Sequence, residues 1–105
     1  MGKAANSSIS LKQIHVTDNF WNKYVHLVKD VIIPYQWDIL NDKLEDVETS
    51  HCIENFKIAA GEKEGEFQGA VFQDTDVAKW LEAVGFVLNY ERDEKLEELA
   101  DETIE

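Results

Sequence analysis

Residues 56–83 read FKIAAGEKEGEFQGAVFQDTDVAKWLEA, and the way this stretch divides decides the fold. Its first part continues a stripe of Ile53, Phe56 and Ala60, spaced three or four residues apart as on one face of a helix. Gly61 follows, and glycine readily takes the left-handed conformation that ends helices. The last part opens on Asp74 or Thr75, either of which can cap a helix. Val77, Trp80, Leu81, Val84 and Leu88 then form a broad apolar stripe. The spacing predicts helix, loop, helix, with the loop running from Gly61 to Gln73.

The same pattern extends outward. Asp18 or Asn19 can cap a helix opening at Phe20 or Trp21, and Trp21, Tyr24, Val28, Val31, Tyr35 and Ile39 continue at helical steps. Pro34 interrupts this stripe, because proline has no N–H and disfavours α geometry at the residue before it. The segment is therefore either one kinked helix or two that abut. Ser50 can cap a short helix bearing Ile53, and Asp93 a last one bearing Leu96, Leu99, Ala100 and Ile104. Helices are predicted near 20–40, 51–60, 75–90 and 94–105. Ile9, Leu11, Ile14 and Val16 alternate imperfectly, which predicts a short, bulged strand at 9–16. A strand needs a partner, and no other segment reads as one. The last apolar face is still running at Glu105, so the reading is a mainly α, incomplete domain.

Composition narrows the function. A chain of 105 residues holds one small domain. With 22 acidic and 10 basic residues, its net charge of −12 repels nucleic-acid phosphates and anionic membranes. Residues 91–105 alone carry eight acids against two bases, which reads as a solvated helix face. No apolar run approaches the roughly 20 residues of a membrane span. The first ten residues lack the apolar core of a secretory signal, so a cytoplasmic location is expected. Cys52 is the single cysteine, which excludes an internal disulfide and reads as a buried structural thiol. His15, His26 and His51 match no metal-ligand spacing, so no metal site is expected from this chain alone.

The loop carries the chemistry. Gly65 and Gly69 permit tight turns or close approach, and Phe67 and Phe72 offer flat apolar faces on which sugar rings stack. Asp74 and Asp76 have the look of a paired-carboxylate glycosidase site. Helix capping explains Asp74 more simply.

The pieces DNFW (18–21), VIIPYQWDILND (31–42), 56–83 as quoted above and LEELADE (96–102) stand in one order. Together they resemble the N-terminal segment of the bacterial β-L-arabinofuranosidases, glycoside hydrolase family 127, over nearly the whole chain. The resemblance implies residues 1–17 as a tail and strand, and 18–105 as the first helices of an (α/α)6-barrel catalytic domain, truncated at Glu105. It implies that the strand pairs with later β domains. It also implies a parent enzyme that releases terminal L-arabinofuranose from plant-derived glycans, using a zinc-bound cysteine and a glutamate. Those residues lie downstream of the matched region, so this chain would contain no catalytic residue and would need the rest of its polypeptide. Phe72, Phe67 and Asp74 are the candidate contacts at the sugar-pocket rim. Ala78 departs from the family, which commonly has tyrosine there, and the connection between Leu44 and Asn55 is short. The competing reading is a stand-alone acidic helical module that binds a protein partner.

Overall fold

The computed structural model describes residues 7–105. After a 3-10 turn at Leu11–Gln13 come α1 (Asn19–Leu27), a π-helical turn (Val28–Ile32), α2 (Ile33–Leu40), α3 (Cys52–Ala59), α4 (Asp74–Tyr90) and α5 (Glu94–Ile104). The mainly helical reading holds, and the helix positions agree with the spacing of apolar residues. The strand expected at 9–16 does not form, and no strand occurs among the described residues. With no neighbouring strand to complete a ladder, the Ser10 hydroxyl accepts from the Lys12 N–H (3.3 Å) and closes a turn instead. The segment is tied down further along, where the Val16 N–H donates to the Tyr90 hydroxyl at 2.9 Å.

Pro34 does not split the first helix. Leu27, Val28, Ile32 and Ile33 all keep helical dihedrals, and α1 passes into α2 through the π turn. In an α-helix the proline ring would collide with the carbonyl of Asp30, four residues back. Here the Ile33 N–H reaches back five residues to the Val28 carbonyl, which places the wider turn immediately before the proline. Asp18 caps α1 by accepting from the Trp21 N–H at 2.6 Å, and Asp93 caps α5 by accepting from Lys95 and Leu96. Gly61, at φ +79°, ends α3: its N–H donates to Ile58 and that of Glu62 to Lys57. Asp42, at φ +56°, ends α2 by the same pattern of bonds.

Helix α4 is the centre of the packing, touching α2, α3, α5 and the 3-10 turn. The core comprises Ile33, Trp37 and Leu40 of α2, Cys52 of α3, Val77, Trp80 and Val84 of α4, and Leu96 of α5. Trp37 and Trp80 lie with ring centroids 4.9 Å apart, and the Trp80 indole N–H donates to the Ile33 carbonyl at 3.0 Å. Lys29, largely buried, pairs with Glu91 (3.2 Å) and Asp93 (3.8 Å), fastening the π turn to the α4–α5 junction. Burial pulls the Lys29 pKa down, but its bond to Glu91 and the charges of Glu91, Asp30 and Asp93 outweigh this and hold it above the usual value.

The rest of the first helix is poorly covered. Phe20, Trp21, Tyr24, Leu27, Val31 and Tyr35 are exposed, the first three clustering with ring centroids 5.0–6.0 Å apart. The radius of gyration is 17.3 Å, against about 13 Å for a compact domain near this length. No helix among the described residues is long and apolar enough to cross a membrane.

Replacing Trp80 by Phe keeps a ring in the core but deletes the bond to Ile33. Urea unfolding followed by circular dichroism should show a loss of about 1–3 kcal/mol, and Trp80→Ala should lose about 3–5 kcal/mol.

Candidate functional site

The loop from Gly61 to Gln73 is held at its base by side chains. The Asn55 amide donates to the Gln68 carbonyl (2.8 Å), and its oxygen accepts from the Gln68 N–H (3.1 Å). At the far end, the Gln73 side-chain oxygen accepts from the Ala70 N–H at 3.1 Å. Gly69, at φ +95°, sits against that same side chain, and a Cβ there would collide with its oxygen. Gly65 lies against Ile58, with 3.2 Å between the position of an added Cβ and the Ile58 Cδ1. Gly65, at φ +152°, and Gly69 both hold backbone conformations that other residues rarely adopt, so replacing either would strain the loop path.

This anchored loop presents its rings outward. Phe72 is 69% exposed and Phe67 53% exposed, so neither packs in the core of the described chain. Asp74 does not cap α4, and neither does Thr75. The chain enters α4 through a turn in which Gln73 is already helical (φ −68°, ψ −20°), so the extended geometry of an N-cap is absent. The Thr75 hydroxyl bonds back to the Phe72 carbonyl at 2.9 Å. Asp74 and Asp76 lie in the first turn, where the helix dipole favours negative charge. Asp74 also lines a cavity of about 440 Å³ with Trp37, Phe56, Lys57, Ala78 and Glu102, whereas Phe67 and Phe72 do not line it. The structure thus separates the three candidates into two exposed rings on the loop and one carboxylate at a cavity edge.

Cys52 lies under this loop, 1% exposed, and its thiol donates to the Gln73 carbonyl at 2.8 Å. Burial raises its pKa, with the carboxylates of Asp76, Asp74 and Asp42 adding to the rise, against a backbone hydrogen bond that lowers it. It is a structural thiol that links α3 to the loop end, as the sequence predicts. The residues missed in the sequence are those that hold the scaffold. Asn55 and Asp42 bond backbone groups eight to thirteen residues away, Gln73 closes the loop end on Ala70, and polar residues in a polar stretch give no pattern that announces this.

Asp42 ends α2 in a left-handed conformation. Its carboxylate accepts from the N–H groups of Ser50 (2.6 Å) and His51 (3.0 Å), which closes the loop between α2 and α3. The expected Ser50 cap is partial: its hydroxyl accepts from Cys52 at 3.4 Å, while the residue at the cap position is His51, at φ +60°. These bonds bring Asp42, His51 and Glu54 together, each half-buried, with one ligand-capable atom from each within 4.8 Å of the others. Glu54 also pairs with Lys63 at 2.8 Å, and that bond and charge hold its carboxyl below the usual range.

The family profile described as "Beta-L-arabinofuranosidase, GH127 catalytic domain" matches residues 13–105. The chain belongs to this family. Among curated proteins it is similar to the non-reducing end β-L-arabinofuranosidase of Bifidobacterium longum subsp. longum, 36% identical over 104 residues that cover 88% of this chain. Among solved structures it is similar to a GH127 β-L-arabinofuranosidase from Geobacillus stearothermophilus T6, at 58% identity and a TM-score of 0.82 over 86% of this chain. The chain spans only 16% of the length of the first and 14% of the second. The zinc-bound cysteine that family resemblance implies finds no fit here, because the one thiol is buried and already bonded to a carbonyl. Ala78 lies in the wall of the 440 Å³ cavity.

A thiol so placed should resist chemistry. At pH 8, iodoacetamide should alkylate Cys52 more than about tenfold slower in the folded chain than in urea, since thiolate and access are both needed. Mass spectrometry over time checks this, and equal rates would mean that the thiol is not enclosed.

Proposed function

We propose that this chain serves as the N-terminal part of the catalytic domain of a β-L-arabinofuranosidase, supplying early helices of an (α/α)6 barrel and part of the rim of its sugar pocket. The observation that carries the reading is the 58% identity to the Geobacillus enzyme together with a TM-score of 0.82. In this reading the substrate is a terminal L-arabinofuranoside, and the catalytic zinc and its ligands come from polypeptide beyond these residues. The chain's own part is to position. Trp80 and Trp37 fix α2 against α4, the Asn55–Gln68 pair fixes the loop, and the loop holds Phe72 and Phe67 with faces free for a sugar ring.

The exposed face of the first helix fits the same role. An apolar groove of about 560 Å³ runs between it and α4, walled by Ile14, Trp21, Tyr24, Val28, Phe86 and Tyr90. Apolar surface of this kind favours association, and the remaining polypeptide of a family enzyme is the natural cover.

The test is a chimera in which these residues replace the matching segment of the Geobacillus enzyme. It should fold and hydrolyse an aryl β-L-arabinofuranoside at a rate within about tenfold of the parent. A folded but inactive chimera would remove the reading. Within the active chimera, Phe72→Ala should lower turnover more than Phe56→Ala at equal folded fraction, and equal losses would reduce Phe72 to packing. The 105-residue chain alone should release no arabinose with or without zinc, because retaining hydrolysis needs a nucleophile and an acid/base flanking one bond.

A further inference from the structure

We propose that Asp42, His51 and Glu54 bind one divalent transition-metal ion between the end of α2 and the start of α3. The three side chains come from both sides of the 43–50 loop, so no spacing in the sequence announces them. Their ligand-capable atoms already lie within 4.8 Å of one another. A tetrahedral ion with bonds near 2.1 Å draws its ligands to about 3.4 Å apart, a closure within reach of side-chain rotation.

Each group has coordinating capacity left. The Asp42 carboxylate spends three contacts on the Ser50 and His51 amides, two at Oδ1 and one at Oδ2, which leaves Oδ2 a lone pair. These contacts orient the carboxylate, as outer bonds do for metal ligands. Glu54 engages Lys63 through Oε1 only, so Oε2 is open. No hydrogen bond engages the His51 imidazole among the described residues. Lys63 shows that a cation is already favoured beside Glu54, and a chain of net charge −12 adds to that preference.

The donor set selects the class of ion. Two carboxylates alone would suit magnesium or calcium, which take oxygen ligands. The imidazole shifts preference to zinc, cobalt or nickel, with a water completing the coordination. Binding requires neutral His51, and the Lys63 ammonium competes for Glu54. The ion would tie α2 to α3 and so brace the helix that carries Asn55, the residue anchoring the Phe67–Phe72 loop.

The probe is Co2+, added to the 105-residue chain and followed by equilibrium dialysis and visible absorption. One ion per chain is expected, with no thiolate charge-transfer band and no displacement by excess Mg2+. His51→Asn, which keeps a residue tolerant of left-handed backbone, and Glu54→Gln should each weaken binding at least about tenfold. Lys63→Ala should strengthen it. Circular dichroism of each variant reports retained helix. Sub-stoichiometric binding, equal affinity in either ligand variant, displacement by Mg2+, or a charge-transfer band abolished by Cys52→Ser would each overturn the assignment.

Discussion

The bond from the Trp80 indole to the Ile33 carbonyl is the constraint on which the remaining packing depends. It joins residues 47 positions apart, lies inside the core, and fixes where along α2 the helix α4 must cross. The indole has a large apolar body and one donor, so burying it without an acceptor would cost about 1–3 kcal/mol. The π turn just before Pro34 sets the rotational phase of α2, and that phase brings the Ile33 carbonyl and the Trp37 ring to the same partner. A proline that reads as a break in the pattern is thus accommodated by the turn that orients the core.

From that contact the organisation spreads by short tethers. Cys52 links α3 to the Gln73 carbonyl, Asn55 links α3 to Gln68, and Asp42 links the end of α2 to the start of α3. Lys29 does the same at the opposite end, joining the π turn to Glu91 and Asp93. Few of these are worth more than about 1 kcal/mol individually, but each removes freedom from a connecting loop. The consequence is a loop of low regularity with a defined path, from which two phenylalanines project.

The helices were legible because a buried face repeats every three or four residues whatever it packs against. Asp18 and Asp93 were legible as caps, and Gly61 as a terminator, because the unpaired groups at helix ends accept only a few residue types. Asp74 misled for the same reason: it is a good capping residue beside a helix start, yet the backbone enters α4 through a helical turn and needs no side-chain cap. The 9–16 alternation misled because a strand is defined by its partner, and local spacing carries no information about that partner. Of the candidate site, the loop and its two rings could be read directly, but not the exposure of those rings. The meeting of Asp42, His51 and Glu54 could not.

The sequence by itself therefore determined the helical class, the loop that follows Gly61, the acidic surface and the family. These follow from local periodicity, residue chemistry and a motif read in order. Only the tertiary structure decided that one helix continues through Pro34, that Phe67 and Phe72 face outward, and that Asp74 borders a cavity apart from them. It alone decided which polar side chains hold the loops. The physical reason is that these outcomes depend on how α2, α3 and α4 meet, and a meeting is set by buried bonds between residues far apart in the chain.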